Sequence, residues 1–393
     1  MSRISGRLDR LPGSATLAIN TRARQLVAEG RDVISFGAGE PDFPTPENIV
    51  EAAVRAARDP SNHHYTPNVG LEPLRGAIVD YTKQFSGVSI DADQVVVTNG
   101  AKQAIFQALA ALLDPGDEVL LPNPHWVTYP ASIDLAGGTT VSVPTTMESG
   151  FAVSVEDLDR LLTERTKVLM FVSPSNPTGT TYSAEEARRV GQWARDNDLW
   201  VIADEIYQRL VYEKDDVAPS IATDLAGYDK IILINGVAKS YAMTGWRVGW
   251  LIAPKDVAAA AARHQSHSTS NVNNVAQMAA LEALTGLQDS VESMRLAFDR
   301  RRRRMMELLD VAPGVRCARP DGAFYVFPDV TDLTSESHPT SAAIAEVLIE
   351  QAGIAVVPGE SFGAPGHLRL SYALSDDELE RGGARMVSLF GSL

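Results

Sequence analysis

Only one cysteine, Cys317, stands in 393 residues. No disulfide can therefore form within the chain, and the composition fits a reducing compartment. Basic charge is also scarce: 35 Lys and Arg against 50 Asp and Glu give a formal net charge of −15. A surface of that sign repels nucleic acid and anionic membrane, and neither is expected as a partner. No apolar stretch approaches the roughly 20 residues that span a bilayer. The opening residues, MSRISGRLDR, hold no apolar signal core. The cytoplasm is the expected location. Internal repeats and low-complexity tracts are missing as well.

What remains is ordinary for a soluble globular protein, with 45% hydrophobic and 22% charged residues. The length predicts two domains. Short apolar runs fall at residues 94–98, 118–121, 140–143, 168–172, 200–203, 231–234 and 247–252. Helix-like stretches such as 101–113, 184–197 and 258–267 lie between them. Val- and Ile-rich runs without polar alternation suit strands buried on both faces. Their alternation with helices predicts an α/β fold with a mostly parallel sheet, whose ligands bind beyond the carboxyl ends of the strands. From about residue 285 the texture changes to a long charged helix, strand-like 322–327, a helix near 341–352, and strands near 354–357 and 368–372. This predicts a smaller α+β domain. Residues 1–45 are expected to fold back onto it, because the strand-like 33–36 needs a sheet to join. Five arginines at 300–304 point all round a helix axis, so they are expected to pair with acidic groups rather than form a nucleic-acid stripe.

The most suggestive residue is Lys239, delivered by the apolar run 231–234 and followed eight residues later by Arg247. A desolvated lysine loses its preference for the charged form and becomes a nucleophile able to form Schiff bases, including with pyridoxal phosphate. The arginine at that offset can hold a phosphate bidentately. Most lysines after a strand are solvated surface groups, so the case depends on other residues. Gly100-Ala101-Lys102 follows one strand and opens a helix expected from about residue 103, offering backbone N–H groups to a phosphate. It lacks the spacing of either glycine-rich nucleotide fingerprint, which disfavours NAD and ATP. Asn176 is fixed in the turn Ser173-Pro174-Ser175-Asn176-Pro177-Thr178-Gly179, either as a cap or as a donor to a ligand. Asp204 ends a strand, either capping the next turn or pairing with a protonated pyridine nitrogen, and Tyr207 lies three residues on. Trp126 is either core or a stacking surface for a flat ring. Arg369, inside an apolar strand, needs an anion such as a substrate carboxylate.

In combination, and in this order, these motifs resemble the class I pyridoxal phosphate-dependent aminotransferases of fold type I. The likeness runs from Ser35-Phe36-Gly37-Ala38-Gly39-Glu40-Pro41-Asp42-Phe43 through Tyr65-Thr66-Pro67 to Arg369-Leu370-Ser371-Tyr372. It is nearest to bacterial aspartate aminotransferases that use a lysine for the side-chain carboxylate, on Ser14-Ala15-Thr16 and Gly100-Ala101-Lys102-Gln103-Ala104. The resemblance implies a large pyridoxal phosphate-binding domain over 46–287, built on a seven-stranded sheet between helices. It implies a small domain from 1–45 and 288–393. Lys239 would form the Schiff base and shuttle the proton, and Asp204 would pair with the ring nitrogen. Tyr207 and Asn176 would bond the ring oxygen, and Trp126 would stack on the ring. Arg247 and the amides of Gly100, Ala101 and Lys102 would hold the phosphate. Tyr65 would reach it from a neighbouring subunit, which implies a homodimer with active sites at the interface. Arg369 would bind the α-carboxylate with Asn176 and the backbone of Gly39, while Lys102 and Thr16 would meet the distal carboxylate. No metal is expected.

The chain departs from the pattern at several points. Many members carry serine at the position of Gly236 and often at that of Ala238; close ones often have glycine at Ala101 and tyrosine at His125. The expected reaction is L-aspartate plus 2-oxoglutarate to oxaloacetate plus L-glutamate, in a ping-pong cycle. Prephenate, an aromatic or a broader donor range is the alternative, and His125 bears on that choice. A lyase on the same fold is a further alternative. A cofactor-sensing transcription regulator is disfavoured by the acidic charge and the short stretch before the first motif.

Overall fold

The computed structural model describes residues 3–9, 11, 13, 15–212, 217–225 and 227–393. Strand β1 is Ile34–Ser35. The next seven, β2 Val95–Thr98, β3 Glu118–Asn123, β4 Thr139–Pro144, β5 Thr166–Val172, β6 Trp200–Asp204, β7 Ile231–Gly236 and β8 Gly249–Ile252, form one sheet. Its order is β2-β8-β7-β6-β5-β3-β4. From β7 to β4 every pairing is parallel, while β8 runs antiparallel to both β2 and β7. Each expected apolar run contains or overlaps a strand.

The sheet is buried on both sides because its strands alternate between two cores. Val95, Val97, Leu169, Phe171, Val201, Ala203 and Leu233 enter one cluster. Val96, Val168, Met170, Ile202, Ile232 and Ile234 enter the other. The intervening helices carry local start signals. Ser183 with Glu186 and Ser375 with Glu378 form capping boxes ahead of Ala184–Asp196 and Asp376–Phe390. The helix Ala101–Leu112 starts where the helix-like stretch 101–113 does, two residues ahead of the start placed near 103, with Gly100, at φ +83°, as its cap.

A third cluster gathers Phe36, Tyr207, Phe298, Phe324, Tyr325, Leu370, Met386 and Phe390. Its strands are β9 Tyr325–Val326, β10 Ile354–Ala355, β11 Val357–Pro358 and β12 Leu368–Ser371. β11, β12 and β9 form an antiparallel sheet, and β1 pairs in parallel with β10. The expected strand at 322–327 is confined to two residues. The helix near 341–352 divides into an α-helix, Ser341–Val347, and a π-helical turn, Leu348–Ala352.

On the helix Asp289–Asp310 the arginine run is neutralised along its whole length. Arg300 and Arg301 pair with Asp376, and Arg301 also with Asp42. Arg302 and Arg303 meet the buried Asp299, and Arg304 meets Glu307 and Glu380. No helix among the described residues is long and apolar enough to cross a membrane.

Candidate active site

Lys239 lies just beyond β7, half-buried beside a cleft. Its ammonium donates to the Gly39 carbonyl and sits 5.6 Å from the Tyr207 ring centre and 5.8 Å from that of Phe324. Desolvation by these apolar walls pulls its pKa down to about 8, reinforced by Arg369 and Arg247 and opposed by Glu40 and Asp204. A substantial fraction of this amine is therefore neutral near physiological pH, as a nucleophile or proton acceptor requires.

One strand over, Asp204 ends β6 and is 3% exposed. Its Oδ1 accepts from the Ile206 N–H at 3.1 Å and its Oδ2 from the Tyr129 hydroxyl at 2.8 Å. The capping alternative thus holds for one oxygen. Burial raises the carboxyl's pKa. Among the described residues no lysine or arginine forms an ion pair with it, so the site suits a cationic N–H. Tyr207, also buried, shares a 2.9 Å hydrogen bond with the Tyr325 hydroxyl.

Where β8 meets the helix Ala101–Leu112, glycines allow a close approach. A Cβ on Gly100 would stand 2.5 Å from Arg247 Nη2, and one on Gly249 would stand 2.5 Å from the Ala101 nitrogen. Arg247, exposed, donates to the carbonyls of Thr244 (2.9 Å) and Asn99 (3.2 Å). No carboxylate among the described residues pairs with it. A guanidinium without a counter-ion beside a helix N-terminus is a fitting anion site. At Gly236, a Cβ would meet Gly249 Cα and the Val248 carbonyl at 2.9 Å. A serine does not fit there in this chain, which accounts for that departure.

Arg369 leaves β12 toward the same cleft, 1% exposed. Nη1 donates to Asn176 Oδ1 (3.2 Å) and Nη2 to the Gly37 carbonyl (2.8 Å). Its Nε is buried without a partner. The guanidinium packs over Tyr325 at 4.7 Å and Phe362 at 5.1 Å. Burial lowers its pKa, and no carboxylate among the described residues compensates it. Such a group calls for an anion from outside the chain.

At the far side Trp126 stands edge-on to Tyr129 at 5.5 Å, and the Lys102 ammonium lies 5.0 Å over the Trp126 ring. Desolvation and Arg247 lower the Lys102 pKa. Burial lowers that of His125, favouring neutral imidazole. Tyr65 is not drawn into this group and is 91% exposed. The Thr16 side chain lies outside the described residues. Sequence reasoning missed Tyr129, Tyr325 and Phe362. Each is an aromatic with no local signal of the polar group it serves.

A poised lysine, a buried carboxylate wanting a cation and an anion cradle gather at the carboxyl ends of β7, β6 and β2 in the seven-stranded sheet, and β12 of the smaller sheet brings up a buried arginine wanting a second anion. This chemistry agrees with the comparisons: the chain belongs to the class I and II aminotransferase family, whose model matches residues 31–385. It is a transaminase of fold type I. Over 98% of its length and 96% of the relative's, it is 52% identical to an aspartate aminotransferase of Streptomyces avermitilis. It is 43% identical to a probable aspartate/prephenate aminotransferase of Aquifex aeolicus, over 96% of each chain. Among solved structures it resembles the Thermus thermophilus aspartate aminotransferase with maleate, with a TM-score of 0.93 and 40% identity over 99% of this chain and all of that one.

Proposed function

We propose that this transaminase transfers the amino group of L-aspartate to 2-oxoglutarate, using pyridoxal 5′-phosphate. The observation that carries the reading is Arg369: a buried guanidinium with an unpartnered Nε, held by Asn176 and Gly37. It is suited to a bidentate α-carboxylate. When bound, the cofactor supplies a carbonyl that condenses with amines and a protonated ring that draws electrons from the amino acid. Asp204 keeps the ring nitrogen protonated, and Tyr207 with Asn176 donates to the ring oxygen. Trp126 covers the ring face. Arg247 and the amides of Gly100, Ala101 and Lys102 hold the phosphate, joined by the partner subunit's Tyr65 in a homodimer. Lys239 Nζ, neutral above about pH 8, anchors the cofactor and takes the substrate's Cα proton. Gly39 supports the α-carboxylate through its backbone, and Lys102 with Thr16 receives the distal carboxylate. The cleft would lie between a domain over 46–287 and one built from 1–45 and 288–393. The acidic charge and single cysteine favour the cytoplasm.

Two names among the relatives support the dicarboxylate. The Thermus protein was solved with maleate, and the Aquifex protein is named for aspartate and prephenate. All three compounds carry two carboxylates, so prephenate is the second reading. Absorbance-monitored half-reactions of the holoenzyme with aspartate, glutamate, phenylalanine and alanine test this. Aspartate and glutamate are expected to react at least ~10-fold faster, the discrimination one charge-assisted contact provides. Equal rates with phenylalanine would overturn the dicarboxylate assignment, and no half-reaction with any donor would overturn the function.

A further inference from the structure

Tyr65 is a large aromatic left 91% exposed, yet the backbone around it is fixed from beneath by buried amides. Asn274, the first residue of the helix Asn274–Thr285, is 5% exposed. Its Nδ2 donates to the carbonyls of Asn62 (3.1 Å) and His64 (2.8 Å), and its Oδ1 accepts from Thr66 Oγ1 (2.7 Å). One side chain therefore brackets Tyr65 on both sides. Two fully buried glutamines extend the grip. Gln265 Nε2 donates to the Asn68 carbonyl (2.6 Å) and the Val97 carbonyl (2.9 Å). Gln277 Oε1 accepts from the Leu71 N–H (2.8 Å).

An exposed loop usually satisfies its carbonyls with water. Here those at residues 62, 64 and 68 are held by side chains from elsewhere in the sequence. The cost of burying those amides is offset only if the loop keeps one conformation. The same helix start has a second surface. Val272, Asn273, Val275 and Ala276 line a cavity of about 720 Å³ together with Asn99 and Arg247. In a two-fold dimer one patch meets its own copy, so a projecting group and a receiving cavity belong on one face. Asn274 holds the projection while its chain neighbours line the receptacle.

We infer that Asn274 is a positioning residue that sets the reach of Tyr65 into the partner subunit's phosphate site. The inference rests on the proposed role of Tyr65. The competing possibility is that Asn274 merely stabilises its own subunit.

A double-mutant cycle on the holoenzyme separates the two, with the pyridoxal phosphate dissociation constant as its readout. Asn274→Asp keeps the size and the acceptor for Thr66 but turns an oxygen toward the carbonyls of Asn62 and His64. Tyr65→Phe and Asn274→Asp are each expected to weaken retention on the order of tenfold, as loss of a charge-assisted hydrogen bond does. The double variant is expected to be no weaker than Tyr65→Phe alone. Multiplying losses would overturn the inference and leave Asn274 a purely structural residue. Unchanged retention in Tyr65→Phe would instead overturn the role of Tyr65, and the inference with it. Should Asn274→Asp not fold, Thr66→Val removes one bracket bond. It is expected to weaken retention in the Tyr65 background and to do nothing in Tyr65→Phe; equal losses in both would overturn the inference.

Discussion

Lys102 stands on the first turn of the helix Ala101–Leu112, its ammonium over the Trp126 ring. It is exposed and forms no ion pair among the described residues, so it can meet a substrate carboxylate without first breaking one. Lys102→Ala is expected to lower kcat/KM for aspartate roughly 10- to 100-fold, the value of one charge-assisted contact, and to change that for an apolar amino acid far less. Steady-state kinetics on both donors check this, and equal losses would remove Lys102 from substrate recognition. Lys239, Asp204 and Arg369 stood out because each is a polar residue that follows, ends or interrupts an apolar run, whereas the Lys102 side chain was singled out only through the family resemblance. The partners of these residues did not stand out. Tyr129 is 75 residues from the Asp204 it serves, and Tyr325 is 118 from Tyr207. Nothing in local spacing links such pairs; only the sheet order brings them together.

Strand β6 delivers Asp204 to the cleft, and the next residue secures the strand's end. Glu205 is 4% exposed; Ser220 and Ser86 donate to it, and Gln208 donates to Ser86 at 2.9 Å. Desolvation pushes its pKa up to about 7 from 4.5, with the hydroxyl bonds opposing and Asp204 assisting. The folded state therefore binds this proton more tightly than the unfolded chain. The resulting stability is full below pH ~4.5 and is lost as pH rises through ~7, a change of roughly 3 kcal/mol. Glu205→Gln abolishes that proton. Urea unfolding at pH 5 and pH 8 is expected to show wild type losing about that much stability relative to the variant; a difference that does not move with pH would overturn this account. At this scale the sequence was most readable. Val- and Ile-rich runs marked the buried strands. The short strands β9 to β11 were blurred because two-residue strands have no period to detect.

Across the whole molecule, both ends of the chain converge on the cleft through the segment after β1. The Phe36 N–H donates to the Ala355 carbonyl (2.8 Å), and its carbonyl accepts from Ser371 (2.7 Å). Its ring is fully buried, and a Cβ on Gly382 would stand 2.5 Å from it. The next carbonyls, of Gly37 and Gly39, receive Arg369 and Lys239. One phenylalanine thus ties the C-terminal helix, β10 and the strand of Arg369 to the residues that face the substrate. The sequence showed only that residues 33–36 needed a sheet; the partner strand lies some 320 residues away, beyond any pattern. Phe36→Ala is expected to cost about 3–5 kcal/mol, the usual price of emptying a core aromatic site. It should also raise KM for aspartate several-fold, because the Gly37 carbonyl loses its support against Arg369. Phe390→Ala is the control. That side chain lies in the same cluster at 2% exposure but contributes no backbone to the cleft, so it should destabilise comparably with KM unchanged. Urea unfolding and steady-state kinetics on both variants decide the matter. If KM rises equally in both, stability alone reaches the site; if it rises only in Phe36→Ala, the segment after β1 is the physical link between the chain's ends and its chemistry.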